Sequence, residues 1–274
     1  MSAAPDFVAR YGPWALVAGA SEGLGEAWAD ALAARGVNLI LIARGQSKLQ
    51  ATADRLVARH GCEVLTLALD LGADPSVLRE RITRVIDDRE VGLLIYNAAR
   101  SCVGGFFASS LDEAVATLDV NCRGPLVLSY LLGSAMRERG RGGIVLMGSL
   151  AGQQGSPRLA TYAATKAFDR VLGESLWGEL QDVGVDVLCC VAGATRTPGF
   201  EAAASGSTQM VMEPAAVVEE ALAVLGRRPS VPIVIVGWFN KLVSAVMGLL
   251  PRRRRVLIMK GALADSGGSR EDLG

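Results

Sequence analysis

Short runs of hydrophobic residues alternate along the chain with longer stretches whose apolar positions recur every three or four residues. The runs cover 15–19, 38–43, 63–69, 92–96, 144–148, 185–191 and 231–236. Each is nearly unbroken in aliphatic residues, the pattern of strands covered on both faces. Between them, 23–35, 47–59, 76–88, 111–139, 161–182 and 214–228 have helical length and period. This alternation predicts an α/β fold, a Rossmann-type doubly wound parallel sheet of about seven strands with helices on both faces. Ligands of such sheets bind outside the carboxyl ends of the strands. The residues that follow each strand are therefore where chemistry is expected.

The pattern also divides the chain. Residues 1–237 read as one Rossmann-type domain, with a lid over the substrate at 197–212, which is rich in small residues and carries Met210 and Met212. In 238–250, Phe239, Leu242, Val243, Val246, Met247 and Leu250 fall on one helical face, and Arg252 to Arg255 follow Pro251. The segment 238–260 is thus an amphipathic helix with a basic stretch. It could dock on the core or a second subunit, cover the substrate mouth, or lie on anionic lipid as a peripheral membrane contact. The Gly-, Ser- and charge-rich 261–274 is expected to be a flexible tail.

Composition narrows the function. Half of the 274 residues are hydrophobic, enough for one large core. Lys+Arg and Asp+Glu are both 28, so no basic footprint points to nucleic acid. The five cysteines are odd in number and form no CxxC pair, and Cys189 and Cys190 should face opposite sides of a strand. They read as reduced thiols of a cytoplasmic protein. The first residues lack the marks of a signal peptide, and no run reaches the roughly 18 apolar residues of a membrane span. His60 is the single histidine and no cluster has metal-ligand spacing, so no metal is implied.

Three places carry candidate chemistry. After the first strand comes Gly19-Ala20-Ser21-Glu22-Gly23-Leu24-Gly25. Glycines here allow a tight turn and close approach of the backbone to a pyrophosphate, held at the N-terminus of the following helix. An ordinary strand-to-helix turn is the alternative. Arg44 closes the second strand, where a guanidinium suits the 2′-phosphate of NADP and an acidic residue would favour NAD. Asp70, after the third strand, could bond the adenine edge or cap a helix. Finally, Tyr162 and Lys166 are four apart on a helical pattern and share a face. An ammonium there stabilises a phenolate, which makes the pair a general acid/base for an alcohol proton. Ser149 closes the fifth strand and could hold the substrate oxygen, or serve as a plain turn serine. Asn121, a polar amide inside a helical stretch, could form a water-mediated relay to Lys166 or mark a helix junction.

Taken in order, these elements resemble the short-chain dehydrogenase/reductase family, together with Asp70-Leu71, Asn97-Ala98-Ala99 and Ala192-Gly193-Ala194-Thr195-Arg196-Thr197. The resemblance runs from about 13 to 200. It implies catalytic roles for Asn121, Ser149, Tyr162 and Lys166. It implies cofactor contacts at Gly19, Ser21, Glu22, Gly23, Leu24 and Gly25, at Arg44, Asp70 and Leu71, at Asn97 and Ala98, and at Gly193, Thr195 and Thr197. Two motifs depart from the family: Tyr96 and Ala99 stand where an asparagine and a glycine are usual, and Ala192 where a proline is. Tyr11-Gly12-Pro13-Trp14, the Ser21-Glu22-Gly23 turn and Thr195-Arg196-Thr197-Pro198 are further similar to bacterial NADP-dependent 7β-hydroxysteroid dehydrogenases. Those carry a second arginine where this chain has Gly45. The expected activity is an NADP(H)-dependent interconversion of a secondary alcohol and a ketone on a hydrophobic substrate, by a homodimer or homotetramer. The alternatives are a membrane-associated 3-ketoacyl thioester reductase and a non-catalytic nucleotide-binding protein.

Overall fold

The computed structural model describes residues 4–203 and 210–264. Residues 204–209 of the expected lid and 265–274 of the expected tail lie outside the described residues. Seven parallel strands form one sheet: β1 (Trp14–Ala18), β2 (Asn38–Ala43), β3 (Val64–Ala68), β4 (Val91–Tyr96), β5 (Gly142–Ser149), β6 (Val185–Ala192) and β7 (Ile233–Ile235). Their order is β3-β2-β1-β4-β5-β6-β7. The chain reverses direction across the sheet between β1 and β4, which opens a crevice at their carboxyl ends.

The helices are α1 (Ala4–Tyr11), α2 (Gly23–Ala33), α3 (Gln46–His60), α4 (Pro75–Ile86), α5 (Leu111–Leu118), α6 (Gly124–Arg139), α7 (Ala160–Leu180), α8 (Pro198–Ala203), α9 (Pro214–Leu222), α10 (Trp238–Leu249) and α11 (Arg252–Ala264). Successive strand residues alternate between two apolar clusters. Leu39 and Leu41 pack on the side of Trp28 of α2 and Val217 of α9, whereas Ile40 and Ile42 pack on the side of Leu78 of α4 and Leu128 of α6. Both faces are dry, which is why the strands read as continuous apolar runs. Local signals set the helix ends. Asp74 accepts from the Ser76 N–H ahead of α4, with Pro75 in its first turn. Ser110 and Glu113 form a reciprocal capping box on α5. Gly61 and Gly140 adopt the left-handed conformation that ends α3 and α6.

Three departures from the sequence pattern matter. The stretch 111–139 is not one regular helix, because a π turn at Asp119–Arg123 separates α5 from α6. The wider turn frees the Val120 carbonyl, which accepts a 2.5 Å hydrogen bond from the Tyr96 hydroxyl. Second, α1 was not legible. It is anchored by Asp186 of β6, whose Oδ2 accepts from the Tyr11 hydroxyl at 2.6 Å and Arg10 at 2.6 Å, while Oδ1 accepts from Arg228 at 2.9 Å. Burial, with Asp186 beside it, drives the Tyr11 hydroxyl far above its ordinary range. Third, the C-terminal segment forms two helices, the arginine run opening the second.

In α10 the apolar face is turned largely outward. The side turned to the fold is polar: Asn240 is buried and donates to the Val236 carbonyl at 2.8 Å, and Ser244 donates to Gln153 at 2.8 Å. Met247 and Leu250 are half-buried, while Trp238, Leu242, Val246 and Leu249 stand exposed in one stripe. Periodicity shows that an apolar face exists and says nothing of what it meets. All five cysteines are free, and Cys189 and Cys190 lie on opposite faces of β6 as expected.

Candidate active site

The glycine turn between β1 and α2 is built for an anion. Gly19 and Gly23 have positive φ, 82° and 60°, a region only glycine enters freely. A Cβ on Gly25 would lie 1.9 Å from the Gly19 carbonyl oxygen, so the helix and the turn touch backbone to backbone. Asn97, just past β4, donates to that same carbonyl at 2.9 Å and locks the turn to the centre of the sheet. Glu22, at the N-cap of α2, makes no side-chain cap, so the first-turn N–H groups keep free capacity at the positive end of the helix dipole. These donors, and the space left by the missing Cβ atoms, fit a dinucleotide pyrophosphate.

Around this turn the strand ends wall a cleft of about 850 Å³. Of the residues named from the sequence, all but Gly25 and Asn121 line it. Gly25 sits behind the turn. Arg44 is exposed at the end of β2 and makes no ion pair among the described residues, while Lys48 pairs with Glu22 at 2.9 Å beside it. Asp70 both lines the cleft and caps its own turn, its Oδ1 accepting from the Gly72 N–H at 2.9 Å. Thr195 pairs with Met212, and Thr197 starts α8 by accepting from the Phe200 N–H at 3.2 Å. The Thr197 methyl packs where a Cβ on Gly23 would fall. Gly193 is needed for another reason: a side chain there would strike Asn240 of α10.

Ser149, Tyr162 and Lys166 share this cleft. Ser149 is a turn serine that also lines the cleft. Its Oγ accepts from the Ala151 N–H at 3.2 Å, which leaves its own proton free to turn into the cleft. Tyr162 stands in the first turn of α7, and Lys166 Nζ lies 5.9 Å from the centre of its ring. Lys166 is buried, and two of its three N–H bonds are committed: to the Met147 carbonyl at 2.7 Å and to Asp169 Oδ2 at 2.9 Å.

Asn121 occupies the π turn, and its amide is fully engaged. Oδ1 accepts from Arg100 N at 2.7 Å, and Nδ2 donates to Arg100 O at 2.8 Å and to Thr165 Oγ1 at 2.9 Å. The side chain makes no hydrogen bond to Lys166. It pins the segment after β4 to α7, the helix that carries Tyr162 and Lys166. These direct bonds are those of a hydrogen-bonded asparagine at a helix junction. Sequence reasoning missed Asp169 and Asn240. Asp169 stands three places after Lys166 on α7, a spacing that by itself reads as an ordinary solvated pair.

Residues 13–207 match the sequence profile of the short chain dehydrogenases. The chain belongs to this family. A very-long-chain 3-oxoacyl-CoA reductase of Neurospora crassa is 38% identical over 181 residues, 65% of this chain and 54% of that protein. The chain spans little more than half the length of that relative. Among solved structures, a 7β-hydroxysteroid dehydrogenase superimposes with a TM-score of 0.86 at 25% identity, covering 93% of this chain and 99% of that one. A short-chain dehydrogenase from Sphingobium yanoikuyae in complex with NADPH gives 0.75 at 31% identity, covering 86% and 94%.

Proposed function

We propose that this short-chain dehydrogenase interconverts a secondary alcohol and a ketone on a bulky hydrophobic substrate, with NADP(H) as cofactor. One observation carries the reading: the Ser149 hydroxyl, the Tyr162 phenol and the Lys166 ammonium line the same cleft as the glycine turn. A protein that only sensed a nucleotide would need no proton donor there. The cofactor, when bound, supplies or takes up the hydride. The turn from Gly19 to Gly25 and the N-terminus of α2 would hold its pyrophosphate, with Ser21, Leu24, Leu71 and Ala98 beside them and Asp70 toward the adenine. Gly193, Thr195 and Thr197 would flank the nicotinamide half.

The protein's own groups do the rest. Ser149 donates to the substrate oxygen and holds it toward Tyr162. Tyr162 gives its proton to that oxygen in reduction and takes it back in oxidation. Lys166 keeps a positive charge beside the phenol and has one N–H left for the ribose. Asn121 fixes the distance between the strand end and α7. A panel of steroid ketones and 3-oxoacyl-CoA thioesters, followed by NADPH absorbance, tests the reading. Absence of turnover on every bulky carbonyl would defeat it. The similarity to 3-oxoacyl-CoA reductases favours thioesters as a second substrate class.

Arg44 supports the choice of NADP, being an unpaired cation where the 2′-phosphate would sit. Arg44→Ala should weaken NADPH binding about tenfold or more, the worth of a charge-assisted hydrogen bond, and leave NADH binding unchanged. Fluorescence titration of the two cofactors measures this. Equal weakening of both would remove Arg44 from that role.

No helix among the described residues is long and apolar enough to cross a membrane. The C-terminal pair is nevertheless unusual. The outward stripe of α10 is apolar, with Leu249 86% and Trp238 68% exposed, and Arg252, Arg253 and Arg254 stand exposed at the start of α11. Val256 of α11 packs near Gly155, beyond the Ser149 turn, and Asn240 of α10 packs against Gly193, which lines the cleft. Apolar residues beside bare guanidinium groups match an anionic bilayer. We assign this surface to peripheral membrane contact, and an oligomer contact to the exposed Leu126, Tyr130 and Val171 of α6 and α7. The protein should float with phosphatidylglycerol vesicles and not with phosphatidylcholine. Trp238→Ser/Leu249→Ser should abolish flotation. Dissociation of an oligomer by that variant, without any vesicle binding by the parent, would reassign the stripe to a second copy.

A further inference from the structure

Asp169 lies one turn beyond Lys166 on α7, and the two side chains are 2% and 3% exposed. Its Oδ2 accepts from Lys166 Nζ at 2.9 Å, and its Oδ1 is buried with no hydrogen-bond partner. A buried carboxylate left half unsatisfied costs free energy, and an aspartate at this position calls for a compensating role. Its surroundings narrow that role. Tyr96 from β4, Cys122 from the π turn and Cys189 from β6 face the pair. Burial keeps all three neutral, pushing the Cys122 thiol up to about 11 and the Cys189 thiol up to about 12. Arg170 and Glu174, further along α7, act on Cys189. Lys166 is therefore the one cation bonded to Asp169 among the described residues.

The lysine needs that partner. Burial alone would lower its hold on the proton, yet Asp169, followed by Tyr162, reverses the direction and holds the ammonium above its ordinary value. Burial also lifts Asp169, against the pull of Lys166. The carboxylate sits on the side of Lys166 away from the phenol's turn of helix. Together with the Met147 carbonyl it fixes two N–H directions, so the third has a defined path into the cleft.

We propose that Asp169 is a positioning residue: it keeps Lys166 charged and aimed, so that Lys166 can hold the cofactor ribose and support Tyr162. This rests on the oxidoreductase reading above. It predicts that the charge of Asp169, and not merely its hydrogen bond, is required. The chain has only four lysines, Lys48, Lys166, Lys241 and Lys260, so 15N-lysine labelling gives a simple spectrum in the cofactor-free protein. The Lys166 signal is assigned by its loss in Lys166→Arg.

In the parent, Lys166 should titrate above the exposed Lys260. In Asp169→Asn, which keeps an acceptor oxygen but no charge, the Lys166 titration should fall by about one pH unit or more, as desolvation then acts unopposed. Asp169→Glu should restore it. In alcohol oxidation, the rising limb of kcat/KM should move to higher pH in Asp169→Asn, because the lysine now loses its proton before the reacting hydroxyl does. A limb moving to lower pH, the result of simply deleting a negative charge near Tyr162, would overturn the proposal. So would an unchanged Lys166 titration in Asp169→Asn. Should that variant fail to fold, the parent decides: Lys166 titrating below Lys260 refutes the proposal. No turnover by the parent, with a Lys166 titration that still responds to Asp169, would sink the enzymatic reading and leave the ion-pair role standing.

Discussion

Tyr162→Phe is expected to lose turnover in both directions by about a hundred- to ten-thousand-fold, the usual contribution of a positioned acid/base group, while NADPH still binds. The substitution removes one oxygen and leaves the ring, so the first turn of α7 and the Lys166–Asp169 pair beneath it stay in place. Ser149 keeps its proton and can still hold the substrate oxygen, but the phenol that exchanges the proton is gone. The loss should therefore appear in kcat and in kcat/KM together, the mark of an interaction made in the transition state. Steady-state kinetics with the best ketone of the panel, beside a NADPH fluorescence titration, measure both parts. Retained turnover would move the proton donor elsewhere. A parallel loss of NADPH affinity would mean that the phenol is chiefly a binding group.

Gly25→Ala is expected to weaken NADPH binding at least tenfold and to lower the melting temperature. The new methyl would lie 1.9 Å from the Gly19 carbonyl oxygen and 2.8 Å from Asn97 Nδ2. The first of these is backbone and cannot rotate away, so the turn and α2 must separate. That separation would strain the Asn97 bond to Gly19 and misalign the N–H groups aimed at the pyrophosphate. Overpacking of this kind costs about 1–3 kcal/mol, which for a domain of this size lowers Tm by roughly 2–10 °C. Gly45→Ala is the control: nothing lies within 4 Å of its added Cβ, and its φ of −88° suits alanine. Calorimetry and cofactor titration of the two variants should separate cleanly. Wild-type NADPH affinity in Gly25→Ala would show that the close approach of turn and helix is not what shapes the anion site.

Much of the site was readable before any coordinates. Ser149, Tyr162 and Lys166 were legible because their spacing is local, a strand end followed by one helical turn, and local spacing survives folding. The glycine turn was legible from its context between a strand and a helix. Asn121 was legible only as an oddity. A polar residue inside a helical pattern marked something unusual, but only the fold shows that the oddity is a π turn tied to Arg100 and Thr165. Asp169 was visible as a letter and silent as a partner, since a charge three places from a lysine on a helix is most often a solvated pair. Asn240 lies 47 positions beyond Gly193, and no periodicity connects them.

By itself the amino-acid order determined the strand and helix alternation, and with it the doubly wound parallel sheet and the end of the sheet where ligands collect. The physical reason is that burial on both faces writes continuous apolar runs, and right-handed crossovers leave few ways to assemble them. Tertiary structure alone decided which way amphipathic faces turn and which buried groups meet. α10 presents its apolar stripe to the outside because Asn240 and Ser244 find partners within the fold. Lys166 and Asp169 are an ion pair because α7 lies against β5 and excludes water from both. Such choices depend on contacts between residues far apart in the chain, which no local pattern encodes.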